Sequence, residues 1–396
     1  MTDFAQRMDT ITLDSLRGRR SVKWTVPGPD GFGAFVAEMD FGAAPAILDA
    51  LAALSRDANF GYLAEPLTAE LADACATWQR ERYGWDVQPD SIHPLPDVIK
   101  GLEVAMLHFS RPDAPVILPT PAYMPFLLVP KFLGREIIQV PMHNEDGFFT
   151  LDLDGIDAAY RQGGDLIIFC NPYNPLGRVF DRTEMHGLTE VVDRHGGRVF
   201  ADEIHAPLVY PGNKHVPYAS TSETAAKHTI TATSASKGWN LPGLKCAEII
   251  LTNDADRDVW ERVGMWSSHG ASNPGVVANI AAFRSGGEWL HDVVEYLDGN
   301  RMLLAELIDK HLPGVRYRPP DGTYLAWLDF SEIELAQSPG EFMTQQAKVF
   351  VVDGPAFGDG GPGSLRFNFA TPRPILTEMI ERMGAAVHDP SLRIAG

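Results

Sequence analysis

Cysteine is scarce in this chain: three in 396 residues, Cys75, Cys170 and Cys246. The odd count and wide spacing support neither a disulfide framework nor a CxxC metal site. Cys170 and Cys246 sit in apolar runs and read as small buried hydrophobes. No stretch approaches the ~20 apolar residues that span a bilayer. The opening MTDFAQRMDTITLDSLRGRR mixes charges early and lacks the apolar core of a signal peptide, so a reduced cytoplasm is the expected compartment. There is no run of Lys or Arg long enough for a basic stripe, and the formal net charge is −19. Nucleic acid and anionic membrane surfaces are therefore poor partners. Internal repeats and low-complexity segments are lacking too. What is there is an ordinary globular composition, 45% hydrophobic and 21% charged, in a chain long enough for one large and one smaller domain.

Short apolar runs at 115–118, 136–141, 166–170, 198–201, 229–233 and 246–251 alternate with amphipathic stretches such as 183–195, which Gly196 and Gly197 close. That rhythm predicts an α/β fold with a mostly parallel sheet covered on both faces. Ligands on such sheets bind outside the carboxyl ends of the strands. After about residue 283 the texture changes. A helical pattern covers 288–311, followed by a strand at Tyr317, a strand at 323–330, a helix near 340–349, a strand at 364–370 and a closing helix at 374–383. The expected division is an irregular N-terminal segment, 1–45, packing with a small α+β domain, 284–396, and a large α/β domain, 46–283, with the site between them.

Six segments carry residues suited to chemistry. In SASKGWNLPGLK (234–245), Lys237 follows a β-like run and precedes a stretch unable to continue as regular helix, so it is placed on a loop at a strand's carboxyl end. It is either a solvated loop lysine or an amine tuned for covalent chemistry by desolvation and a nearby cation. In ADEIHAPL (201–208), Asp202 and Glu203 end a strand, as solvated acids or as an acid facing a ligand on the rim. In FCNPYNPLGR (169–178), two Asn-Pro pairs fix a turn from which an amide could donate. HPLPDVIKGLEVAM (93–106) opens turn-rich and becomes an apolar-periodic helix. Its free N–H groups suit a phosphate, although no GxGxxG or Walker pattern is present. In PTPAYMPF (119–126), Tyr123 is a core tyrosine or a stacking face. In SLRFNFATPR (364–373), Arg366 lies in an aromatic strand that otherwise reads as buried. Burying it requires an internal acid or a carboxylate ligand.

In this order and combination the motifs resemble the fold-type-I PLP (pyridoxal 5′-phosphate) enzymes, the aspartate aminotransferase superfamily. Within it the chain resembles the MalY/PatB-type cystathionine β-lyases. Further segments carry the likeness: SVKW (21–24), VAEMDF (36–41), FGY (60–62), DEIHAPL (202–208), GEWLHDVVEYLDGNR (287–301) and GTYLAWLDF (322–330). The resemblance implies a PLP-dependent transferase-like fold with a seven-stranded sheet. It implies that Lys237 holds PLP as a Schiff base and later takes the substrate's α-proton. Asp202 would pair with the ring nitrogen, Asn174 and His205 would lie at the phenolic oxygen, and Tyr123 would stack on the ring. The phosphate would lie at the backbone of Val98 and Ile99, at Ser234 and Lys245, and at Tyr62 from the second subunit of a homodimer. Arg366 would bind the α-carboxylate of an amino-acid substrate.

The chain departs from the family pattern at several positions. Asp97 stands where a small residue, often Gly, is usual, and a carboxylate is unfavourable beside a phosphate unless it points away. Met124 occupies a position where some C–S lyases carry a second tyrosine. Tyr173 replaces a frequent histidine, Glu38 a frequent aspartate and Gly238 a frequent threonine. The activity implied is C–S β-elimination from L-cystathionine or another S-substituted cysteine. An aminotransferase of the same fold, with a nearly unchanged cofactor site, and a PLP-binding regulatory protein are the alternatives.

Overall fold

The computed structural model describes residues 3–389 and residue 392. Its centre is a seven-stranded sheet of β1 (Ile92–Leu95), β2 (Val116–Thr120), β3 (Ile137–Pro141), β4 (Leu166–Cys170), β5 (Arg198–Asp202), β6 (Thr229–Thr233) and β7 (Ala247–Leu251), in the order β1-β7-β6-β5-β4-β2-β3. Strands β3, β2, β4, β5 and β6 run parallel, while β7 is antiparallel to both β6 and β1. All six apolar runs become strands of this sheet. Every residue of β2, β4, β6 and β7 is buried, as expected for strands covered on both faces.

Strand β1 was not anticipated. The residues His93, Pro94 and Pro96 read as a turn, yet Pro94 pairs with Glu248 at the end of the sheet order. An edge position tolerates a residue with no N–H to donate. Because β7 runs backwards, its amino end, Cys246 and Lys245, lies at the same rim as the carboxyl ends of β4, β5 and β6. The carboxyl end of β1 lies there too, with Leu95 opposite Ala247.

Five helices have the most bearing on the site. Helix α1 (Val98–His108) starts at that rim, capped by Asp97. It lies close on the sheet because Gly101 has no Cβ: one there would come within 3.2 Å of Leu95 and 3.3 Å of Ala232. Helix α2 (Arg182–His195) opens with a capping box of Asp181 and Glu184 that was not anticipated from the sequence, and closes, as predicted, on Gly196 in the left-handed region. Helix α3 (Asn273–Ser285) lies between β7 and the second sheet in the chain, and α4 (Gly287–His311) and α5 (Arg373–His388) pack against each other. That sheet is antiparallel, with β8 (Arg316–Tyr317), β9 (Leu325–Asp329), β10 (Val352–Asp353) and β11 (Ser364–Asn368) in the order β8-β9-β11-β10. The helix predicted near 340–349 is shorter: it ends with a wide turn at Met343–Ala347, and Val349 instead pairs with Phe32.

The N-terminal residues, expected to be irregular, form three short helices: Asp3–Asp9, Leu13–Gly18 and Val22–Thr25. Phe4 stands edge-on to Trp289 and Tyr296 of α4. Lys23 is buried, with Nζ donating to Asp40 Oδ2 (2.9 Å) and to the carbonyls of Glu38 and Ala370. Trp24 Nε1 donates to the other Asp40 oxygen. Removing one partner of such a buried pair strands the other charge.

Glu248 on β7 is fully buried, and one of its carboxylate oxygens has no hydrogen-bond partner. Burial pushes its carboxyl from the usual 4.5 up to about 8. The folded chain therefore keeps this proton over a range where the unfolded chain has lost it, and stability drains away as pH rises through that window. Glu248→Gln does not titrate. Its stability relative to the parent should grow by about 1.4 kcal/mol per pH unit between the two values and level off on either side. Chemical denaturation of both proteins over that range checks this; a difference independent of pH would refute it.

Candidate active site

Four parallel strands deliver their following residues to one rim. Thr120 of β2 leads to Tyr123, Cys170 of β4 leads to Asn174, Asp202 closes β5, and β6 leads into Ser234 and Lys237. A cavity of about 360 Å³ opens there. Lys237, Asp202, Asn174, His205, Tyr123, Val98, Ile99 and Lys245 all line it, with Asp97 and Cys246. Residues spread over some 150 positions thus meet at the topologically expected place.

Lys237 is not on a loop. Residues Ala235–Gly238 form a single helical turn, with Ser234 at its N-cap accepting a hydrogen bond from Ser236 N. Lys237 Nζ donates to the carbonyl of Ala37 at 3.0 Å. Burial, and then the Arg366 charge, lower its pKa from 10.5 to about 8, against the opposing pull of Glu38 and Asp202. Near neutral pH a useful fraction of this amine is unprotonated.

Asp202 is buried, and its only side-chain hydrogen bond among the described residues is from Ile204 N to Oδ1, 3.0 Å. Burial pushes its carboxyl from 3.8 up to about 7. Two residues along, His205 is buried with no partner for Nδ1, and burial holds its pKa well below the usual value, so the ring is neutral. Tyr123 caps the helix Met124–Phe132 and keeps its phenol proton, since burial raises its pKa.

Arg366 sits on β11, opposite Trp327. It is buried, and no carboxylate among the described residues pairs with it. Its NH1 donates to Asn174 Oδ1 (3.1 Å), its NH2 to the carbonyl of Phe35 (2.7 Å), and its Nε has no partner. Burial lowers its pKa from 12.5 to about 10. The internal acid that the sequence left open is not found among the described residues. The bond to Oδ1 also turns the Asn174 amide, leaving Nδ2 as its free donor.

Ser234 and Tyr62 lie elsewhere. Ser234 Oγ donates to the carbonyl of Cys246 (2.7 Å) as well as capping the turn, and Ser236 lines the cavity instead. Tyr62 is 93% exposed and borders a separate, larger cavity with Phe60, Trp260 and Met265. Cys75, Cys170 and Cys246 are all free and buried, with thiol pKa values raised by burial. For Cys170 and Cys246 this is the inert state read from their apolar neighbours.

The sequence reading used residues 36–41 only for the family likeness and gave the segment 35–40 no role at the site. The segment runs between the site and the second sheet and works through its peptide groups. Phe35 O accepts from Arg366, Val36 O and Glu38 O from Asn368 Nδ2, and Ala37 O from both Lys237 Nζ and the Tyr324 hydroxyl. No side-chain pattern encodes a carbonyl. The only signal was the period-2 placement of Arg366 and Asn368 on one face of β11.

The profile of the family described as aminotransferase class I and II matches residues 36–383. The chain belongs to that family. The seven-stranded sheet with its second, smaller sheet is the type I fold shared by the PLP-dependent aminotransferase-like structures. Among class I and II relatives, a cystathionine beta-lyase of Corynebacterium glutamicum is 38% identical over 375 residues, covering 95% of this chain and 99% of that protein. The cystathionine beta-lyase PatB of Bacillus subtilis is 33% identical, covering 93% and 97%. The crystal structure of cystalysin from Treponema denticola, which contains pyridoxal 5′-phosphate, superposes with a TM-score of 0.89 at 29% identity, covering 96% of this chain and 98% of that one.

Proposed function

We propose that this protein is a PLP-dependent C–S β-lyase that converts L-cystathionine or related S-substituted L-cysteines, with water, to pyruvate, ammonia and a thiol. The reading rests on two unmatched buried charges, Asp202 and Arg366, both close enough to Lys237 to shift its pKa. Among the described residues Asp202 has no ion-pair cation and Arg366 no anion, and each costs folding free energy unless a ligand supplies the missing partner. A protonated pyridine ring and an α-carboxylate are such partners. The close relatives named as cystathionine beta-lyases point the chemistry toward elimination.

The residues fit the cofactor in kind as well as in charge. The neutral Lys237 amine could join its aldehyde, Tyr123 would offer a ring face, and Asn174 Nδ2 and neutral His205, which line the same cavity, would serve its phenolic oxygen. The N–H groups of Val98 and Ile99, with Lys245, lie at the phosphate end, while Ser234 holds the Lys237 turn in place. When bound, PLP supplies an electron sink conjugated to the substrate's α-carbon. Asp202 holds a proton at the ring nitrogen. Arg366 fixes the substrate by its carboxylate and so aims the α-hydrogen at Lys237. Lys237 Nζ takes that proton from Cα, a task suited to an amine lowered to about 8.

Phe60, Tyr62, Met265 and Trp266 form exposed apolar surface, which supports a homodimer in which Tyr62 reaches the partner's phosphate site. No helix among the described residues is long and apolar enough to cross a membrane, and a cytoplasmic enzyme is the reading that fits. The division into 1–45, 46–283 and 284–396 is likewise part of this proposal.

A substrate panel tests the function. Purified protein loaded with PLP should release pyruvate and a thiol from L-cystathionine with no keto acid added. Turnover that requires a keto acid, with no thiol formed, would make it an aminotransferase instead. A protein without turnover that still retains a transcriptional regulator after Lys237 is removed would support the binding role.

A further inference from the structure

The phosphate end of the cavity contains an acid. Asp97 is the N-cap of α1, with Oδ1 accepting from Lys100 N at 2.8 Å. Its other oxygen, Oδ2, takes the Lys245 ammonium at 2.7 Å. Both residues line the same cavity as Val98, Ile99 and Lys237. Lys245 is held there by its backbone as well, at φ 57° in the left-handed region, just before β7.

An anion arriving at the start of α1 thus finds the usual attractions partly taken. The helix's third amide is bonded to Asp97, leaving the first two for the ligand. The lining residues at this end carry one cation and one anion, Lys245 and Asp97, so their formal charges cancel. A phosphate dianion is then held by two amides, the helix dipole and a lysine it must share with a carboxylate. The pair is solvent-exposed, but its two members come from 148 residues apart and are brought together at this rim by the fold.

We propose that Asp97 is an affinity-setting residue in the cofactor site: it competes with the phosphate of PLP for Lys245 and for the first turn of α1, so the chain binds PLP less tightly through its phosphate than the same site would without it. This rests on the reading of the cavity as a PLP site. Retention of the cofactor then depends more heavily on the covalent bond to Lys237, and the chain discriminates weakly between PLP and pyridoxal.

Asp97→Asn removes the charge and keeps a good N-cap; Asp97→Ser is a second capping variant in case the first folds poorly. Cofactor-free, full-length proteins are titrated with inorganic phosphate by calorimetry, and with PLP and pyridoxal by absorbance. Relief of one like-charge contact at a partly exposed site should tighten phosphate and PLP binding on the order of tenfold and leave pyridoxal unchanged. Lys245→Ala should cost the parent more phosphate affinity than it costs Asp97→Asn, because in the parent it leaves the carboxylate uncompensated. Equal or weaker phosphate binding by both Asp97 variants, or an equal gain for pyridoxal, would overturn the proposal and make Asp97 a positioner of Lys245. If none of the proteins takes up PLP at Lys237, the cofactor reading itself fails, a result distinct from unchanged affinity in proteins that do.

Discussion

Lys237→Ala should leave a folded protein that no longer eliminates thiol, with activity lower by roughly 10³-fold or more, the scale expected when a positioned proton-transfer group is lost. The visible absorbance of covalently held PLP should disappear with it. The fold should not suffer. The native amine makes one hydrogen bond, to the carbonyl of Ala37, and burial already lowers its pKa to about 8, so its charged form is a burden to the folded chain. Thermal melting separates loss of chemistry from loss of structure. A variant that melts normally and still releases pyruvate at parental rates would remove Lys237 from the mechanism. The pH profile is a second check: the active amine is the neutral one, so the rate at which cofactor-free parent takes up PLP should rise with pH and level off above about pH 8, the value to which Lys237 is lowered.

Asp202→Asn should have the next largest effect. Asparagine keeps the shape and can still accept from Ile204 N. It cannot carry the negative charge that keeps a ring nitrogen protonated. The loss should fall on kcat, roughly 10²- to 10⁴-fold, with little change in KM, because the charge matters as electrons move into the ring and not as substrate docks. Stability gives an independent signature. Burial raises the Asp202 carboxyl from 3.8 to about 7. In the cofactor-free chain this group costs stability as pH rises between those values. The asparagine variant should therefore melt above the parent near and above pH 7 without cofactor, and the order should reverse once PLP is bound. If the parent is the more stable at neutral pH in both states, Asp202 has a protein partner and the unmatched-charge argument fails.

Much of the fold was legible in the sequence, for a physical reason. Strands β2, β4, β6 and β7 are buried throughout, so each appears as a short apolar block, and parallel topology spaces most of the blocks by helices. Helix α2 was legible from its closing glycines. Strand β1 was hidden because edge pairing lets prolines stand where an interior strand would reject them. Lys237 was recognised but placed on a loop, because four residues of helix leave no periodicity to detect. At the site, charged and aromatic side chains announced themselves: Asp202 and Tyr123 line the cavity at the rim of the seven-stranded sheet, and Arg366, on β11 of the second sheet, bonds Asn174, which lines it too. Two features could not be read. The partnership of Asp97 with Lys245 is a contact between distant segments, visible only once β7 is known to run backwards. The role of Ser234, which ties the Lys237 turn to Cys246 while Ser236 faces the cavity, depends on where two adjacent hydroxyls point within one turn.

The segment from Phe35 to Asp40 touches the proposed catalytic lysine and the proposed carboxylate-binding arginine through atoms that every amino acid carries. Substituting its side chains leaves those carbonyl oxygens in place, so a residue-by-residue scan would score much of the segment as indifferent. Its length is another matter. One residue added or removed between Phe35 and Asp40 would slide every acceptor past Arg366, Lys237 and Asn368 together, and would pull on the buried Lys23–Asp40 pair that anchors its far end. Apart from buried Met39 and Asp40, this part of the protein is therefore constrained more in spacing than in composition.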